Sequence, residues 1–198
     1  MSIHMYLDAE LTEPISEGDM TSPDSDTYDG ADGESKDRRI WIANEQASLV
    51  GDVLSNDNTI QISVPAFGDG DYLIVDDEIV KVVFGGGTTL LAIERGALGT
   101  VAASHVSSSR VYAAVRHTDL VIAPVDIAQT SETGWCALAL TEESLDQATP
   151  GMPLDIGDKA YDQTLTFWRR ITVPPGTPLQ NKTDLKLRLT GTEHLVTL

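Results

Sequence analysis

The residues best suited to chemistry are acids. Asp69 and Asp71 flank Gly70, and Asp76, Asp77 and Glu78 follow within a few positions. Hard carboxylate oxygens at such density can hold calcium, but the twelve-residue helix-loop-helix pattern, with glycine sixth and glutamate twelfth, is absent. Asp and Gly are also the residues that tight turns require, so a pair of turns is the simpler reading and calcium its alternative. The four histidines, His4, His105, His117 and His194, never stand three or four residues apart, so they write no zinc motif. No Gly-x-Ser-x-Gly elbow occurs. The single Cys136 permits no internal disulfide and reads as a small buried hydrophobe. Gly85-Gly86-Gly87-Thr88-Thr89 has the look of a phosphate loop, yet it lacks the lysine that neutralises phosphate and lies between strand-like runs, so it reads as a hairpin turn. Trp41, Trp135 and Trp168 could form a sugar-stacking platform, but each lies within an apolar or alternating run, which favours core packing. No catalytic residue, metal ligand or cofactor site is expected.

The elements that would position these residues are strands. Thr59 to Val64 alternates polar and apolar residues, the period of a half-buried strand. Tyr72 to Val75 and Glu78 to Phe84 flank Asp76-Asp77 as a hairpin would, and Thr88 to Arg95 returns after the glycines. Val111 to Val115, Leu120 to Ala123, Trp135 to Leu140, Leu165 to Val173 and Asp184 to Thr190 read as further strands; only Thr141 to Ala148 has a helical look. Strands about ten residues apart with turn signals between them predict an all-β protein containing a β-sandwich.

Charge divides the chain further. It has 198 residues, 41% of them apolar, with 13 basic against 31 acidic side chains and a formal charge of −18. Such a balance repels phosphate backbones and anionic membranes, which argues against sequence-specific nucleic-acid or membrane-surface partners. No apolar run is long enough to span a bilayer, and the first residues lack the basic and apolar regions of a secretory signal. Residues 8–37 hold 11 acids and one base, Lys36, and few large apolar groups. Alone, such a segment buries too little to offset its ordering entropy. It is therefore expected to be an extended acidic arm over residues 1–37, ordered by a neighbouring copy. Its apolar anchors would be Met5, Tyr6, Leu7, Leu11, Ile15, Met20 and Tyr28; its charge partners would be Arg38, Arg39, Arg169 and Arg170.

One stretch carries a recognisable pattern. It runs from Asp76-Asp77-Glu78-Ile79-Val80-Lys81-Val82 through Ile93-Glu94-Arg95-Gly96-Ala97-Leu98-Gly99-Thr100 to Ala102-Ala103-Ser104-His105. It resembles a small β module of tailed-phage virion proteins, over a span from Ile40 to Tyr112. The region from Phe167 to Leu198, with Thr172-Val173-Pro174-Pro175-Gly176-Thr177-Pro178, is similar to the immunoglobulin-like sandwiches that decorate phage structural proteins.

The resemblance implies an arm over 1–37, a β-meander module over 38–115 and an immunoglobulin-like sandwich over 116–198. It implies a non-enzymatic structural component of a tailed-phage virion, a ring of identical copies in the neck, tail or baseplate. The partners would be other copies and other virion proteins, and the place of assembly the host cytoplasm. A carbohydrate-binding or host-adhesion module on the tail is the alternative.

Overall fold

The structure is a computed structural model that describes residues 3–17, 21–128, 132–180 and 182–198. It is all-β, with antiparallel pairing in every sheet. In chain order the strands are β1 (Ile3–Tyr6), β2 (Glu34–Asn44), β3 (Gln46–Ser48), β4 (Thr59–Gln61), β5 (Tyr72–Val75), β6 (Glu78–Phe84), β7 (Leu90–Glu94), β8 (Arg110–Ala113), β9 (Val115–Asp126), β10 (Cys136–Ala139), β11 (Leu154–Lys159), β12 (Leu165–Val173) and β13 (Leu185–Leu195). The helical look of Thr141 to Ala148 resolves into a short 3-10 turn, Glu143–Gln147.

β3-β8-β5-β6-β7-β4 form one six-stranded sheet. Its edge strands meet: Leu49 bridges Ile62, Val50 N–H donates to Gln61 C=O, and Ser63 N–H donates to Ser48 C=O. The sheet therefore closes into a small barrel, which removes the open edges through which strands recruit other chains. Leu49, Ile62, Leu73, Val75, Val80, Val82, Leu91, Ile93 and Val111 alternate inward to fill it.

The sandwich is assembled from distant parts of the chain. β1-β2-β12-β10 make a four-stranded sheet and β11-β9-β13 a three-stranded one. Ile3, Ile40, Ile42, Cys136, Leu138 and Phe167 from the first share a core with Leu120 and Ile122 from the second. The barrel is thus inserted between the second and third strands of the sandwich, and the two β regions have separate cores. This differs from the expected succession of arm, module and sandwich. Residues 3–6 are a core-facing strand, and β2, from Glu34 to Ile42, pairs with the whole of Leu165–Val173. The entropy argument for a free arm omitted a partner already present in the chain: the edge of β2. The strand order also departs from the immunoglobulin one, because the third strand of this sandwich is the middle strand of its three-stranded sheet.

A polar chain links the lobes where the backbone crosses between them. Lys159, 1% exposed, donates to Asn44 Oδ1 at 2.6 Å and to Ala160 C=O at 2.9 Å. Asn44 Nδ2 donates to Val115 C=O at 2.7 Å. Beside this chain, Ile74 and Ile79 on the outside of the barrel pack with Ala114, Tyr161 and Val196.

Burial lowers the Lys159 pKa to about 8, against a smaller upward pull from Asp162. The unfolded chain therefore binds more protons than the folded one between about pH 8 and the ordinary lysine value of 10.5, and Lys159 adds stability as pH rises across that interval. Cys136 and Tyr6, both pushed up to about 12 chiefly by burial, act in the opposite sense above pH 9 to 10. The readout is therefore a difference. Urea midpoints measured from pH 7.5 to 10.5 should climb relative to those of Lys159→Met; parallel profiles for the two proteins would contradict the assignment.

Candidate functional site

The residues of the recognisable pattern converge at one end of the barrel. Glu78 continues the inward alternation of Val82 and Val80, and Arg95 that of Leu91 and Ile93, so both side chains reach the barrel mouth. Glu78 is fully buried. Arg95 grips it through two parallel bonds, Nε to Oε1 at 2.8 Å and Nη2 to Oε2 at 2.7 Å. Gly96 N–H donates to Oε1 at 2.9 Å, and Ala103 N–H to Oε2 at 3.0 Å. His105 Nε2 lies 2.9 Å from Oε2 and its Nδ1 2.7 Å from Asp76 Oδ2. Arg95 Nη1 also donates to Leu54 C=O at 2.6 Å and to Asp57 C=O at 3.1 Å, tying in the loop after β3.

The remaining pattern residues make this geometry possible. Gly96 takes a left-handed φ of 61°, and a Cβ there would sit 2.9 Å from Thr100 C=O. Thr100 Oγ1 accepts from Ile79 N–H at 3.0 Å and donates to Ala97 C=O at 2.9 Å, which fastens the turn to β6. Burial alone would push the Glu78 carboxyl up. The bonds from Arg95, Ala103, His105 and Gly96 outweigh it and hold the group down at about 2.

Asp76, His105 and Ser109 are the residue types of a hydrolytic triad, but their wiring differs. Ser109 Oγ donates to Asp76 at 3.3 Å, and the histidine nitrogen that would face a nucleophile faces Glu78 instead. Other acids of the cluster serve turns, as the simpler sequence reading has it: Asp69 Oδ1 accepts Gly86 N–H, and Asp71 Oδ2 accepts Gly68 N–H, each at 2.7 Å. Among the described residues, the only group of three or more possible metal ligands is Asp126, Glu132 and Asp184, where the Lys182 ammonium pairs with Glu132 and lies 3.7 Å from Asp184. Cys136 is buried in the sandwich core.

The residues expected to bind a neighbouring copy are mostly occupied within the chain. Met5 and Ile15 pack against the sandwich core, and Tyr6 is buried on β1. Leu7 is half-buried, and its N–H donates to Glu13 C=O. Leu11, also half-buried, lines a polar groove of about 250 Å³ between the lobes, with Asn44, Arg110 and Tyr161. Met20 lies outside the described residues. Asp24 bridges two arginines, accepting from Arg38 Nη1 at 2.5 Å and from Arg169 Nη2 at 3.0 Å; Asp26 takes Arg38 Nη2 at 2.7 Å. Tyr28 Oη accepts from Arg169 Nη1 at 3.4 Å. Arg170 is held by Asp37 and Asp146, each at 2.7 Å. Arg39 alone of the four arginines is exposed with no acidic partner among the described residues; it stacks on Trp41, 5.2 Å from the ring centroid. Arg169 is buried, and an uncompensated buried charge is costly, so the acidic segment is bound first to its own chain.

No protein-family model matches the chain, and no curated protein matches it in sequence.

Removing the Glu78 carboxylate would strand Arg95 and two backbone N–H groups. Glu78→Ala should cost about 3–5 kcal/mol, the range for breaking a buried ion pair, measured by urea unfolding at pH 7. In the intact protein the folded-state pKa lies below the unfolded one, so this contribution is present above pH 4.5 and is lost as pH falls toward about 2. Glu78→Gln should lack that acid-dependent loss; an unchanged acid profile would remove Glu78 from its keystone role.

Proposed function

We propose that this protein is a structural, non-enzymatic component of a tailed-phage virion, assembling with copies of itself into a ring in the neck, tail or baseplate. The observation that carries the reading is the barrel-mouth cluster. Glu78, Arg95, Gly96, Thr100, Ala103 and His105, which carry the resemblance to phage β modules, are bonded to one another and to the backbone. A pattern whose side chains are used up in holding a loop across a barrel suits a scaffold repeated in an assembly. Its acidic character keeps such a scaffold from adhering to nucleic acid.

Deleting residues 1–37 is not a clean assay of assembly, since it would strip β1 from the sandwich and leave Arg169 without Asp24. The direct assay is light scattering on the full chain, followed by negative-stain imaging. A closed oligomer, with antibody to the chain labelling the neck, tail or baseplate of particles, is the expected outcome. A monomer at all concentrations would count against the reading.

Sugar binding is a second reading with its own support. Trp41 and Trp168 occupy the positions of β2 and β12 that alternate with the core residues Ile40, Ile42 and Phe167, so they lie on the outer face of the four-stranded sheet, half-buried. Host polysaccharide should then quench tryptophan fluorescence in the intact protein but not in Trp41→Ala/Trp168→Ala; no quenching in the intact protein would dismiss it.

A further inference from the structure

The cations expected to receive a neighbouring copy are largely consumed inside the chain, which leaves the question of where unconsumed positive charge lies. Most of the 13 basic residues are paired, buried or stacked on a ring. Three that are not share one surface. Along β9, Val121, Ala123 and Val125 alternate with the core-facing Leu120 and Ile122, so they point away from the sandwich core. Along β13, Lys186 and Arg188 alternate with the core-packed Leu185, Leu187 and Leu189, and they sit opposite Val125 and Ala123. A bulge at Asp119, φ 54°, opposite Gly191 resets the alternation of β9, while that of β13 runs on unchanged. Beyond it, His117 is buried, whereas Arg116 pairs with His194 and Thr118 with Thr192 on the outer side.

The outer face of β11-β9-β13 therefore carries Arg116, Lys186 and Arg188 around a half-buried stripe of Val121, Ala123 and Val125. None of the three cations has an acidic partner among the described residues. The acids that the alternation of β11 sends to this face are Asp155, whose Oδ1 already accepts Gly157 N–H at 2.8 Å, and, beyond the bulges, Asp158, whose Oδ1 accepts Asp119 N–H at 3.1 Å. In a chain of −18, this is a surface of opposite sign with an apolar centre.

Resting on the self-assembly reading above, we propose that this face is the docking surface for a second copy of the chain, which presents an acidic surface to it. Charge complementarity selects the occupant: the chain carries 31 acids, nearly all of them away from this face, against ten bases elsewhere. The same charge pattern selects the symmetry. A two-fold axis passing through this face would set it against itself, cation against cation. The contact is therefore heterologous, head to tail, and a heterologous contact that closes makes a ring. Exposed ion pairs are each worth little. The apolar stripe supplies the burial, while the cations set partner choice and orientation.

The experiment is sedimentation velocity and light scattering on the full-length protein beside R116E/K186E/R188E, with R116Q/K186Q/R188Q as a milder variant should the reversal fail to fold. The intact protein should form an oligomer that weakens as salt rises from about 50 to 500 mM, the range over which screening shortens from beyond 10 Å to below it. Either folded variant, with an unchanged circular dichroism spectrum, should dissociate at a concentration at least about tenfold higher. A salt-insensitive oligomer, or one that the substitutions leave intact, overturns this surface and leaves the self-assembly reading standing. An intact protein that stays monomeric overturns that reading itself. A monomer that binds duplex DNA of arbitrary sequence, with binding lost in the variants, would reassign the face to nucleic acid and overturn the proposal.

Discussion

A single buried carboxylate organises the barrel. Glu78 is fully enclosed, and a lone charge there would be costly; four donors and the His105 ring surround it instead. Those donors come from the end of β7, from the turn after it and from the segment leading toward β8, so satisfying one side chain fixes the path of three pieces of backbone. Arg95 extends the arrangement to the carbonyls of Leu54 and Asp57 in the loop between β3 and β4. The barrel mouth is thus closed by polar bonds, in a region where so small a barrel has no room for further apolar layers.

The sandwich uses the same physics at its own end. Its inner face changes from Ile40 and Phe167 to Arg38 and Arg169, and the residues that follow the first strand return to cover these guanidinium groups with Asp24, Asp26 and Tyr28. An acidic stretch that looks disordered by composition is held because two arginines facing a core need its carboxylates. The excess negative charge of the chain is in part internal structure.

How legible this was varies with the range of the interaction. The alternation around β4 and along β13, the apolar runs of β5, β6, β7 and β12, and the turns between β5, β6 and β7 could be read locally, because strand composition and turn chemistry are local. β11, from Leu154 to Lys159, could not: Gly157 and the charged Asp155, Asp158 and Lys159 conceal a strand whose register is broken by bulges. The insertion of one lobe within the other was equally hidden, since pairing of Glu34–Asn44 with Leu165–Val173 spans more than a hundred residues and leaves no local mark. The spacing of Glu78, Arg95 and His105 marked a module but not its internal chemistry. The signal that could have revealed it is a glutamate standing where the inward alternation of β6 calls for an apolar residue.

The chain enters and leaves the barrel side by side. Gln46 and Tyr112 are directly opposed, and Ala113 N–H donates to Glu45 C=O at 3.2 Å. Opposed residues in an antiparallel pair are only about 5 Å apart. Once folded, the 68 residues from Gln46 to Ala113 act toward the sandwich as a tight turn would. The entropy of bringing β2 and β9 together is then met within a unit whose own contacts are short in sequence, before the distant strands pair. A barrel formed ahead of the sandwich would spare the distant strands most of that cost. The same closeness of entry and exit makes the barrel exchangeable: another unit with adjoining ends, or a bare two-residue hairpin, could occupy its place without rerouting the strands on either side.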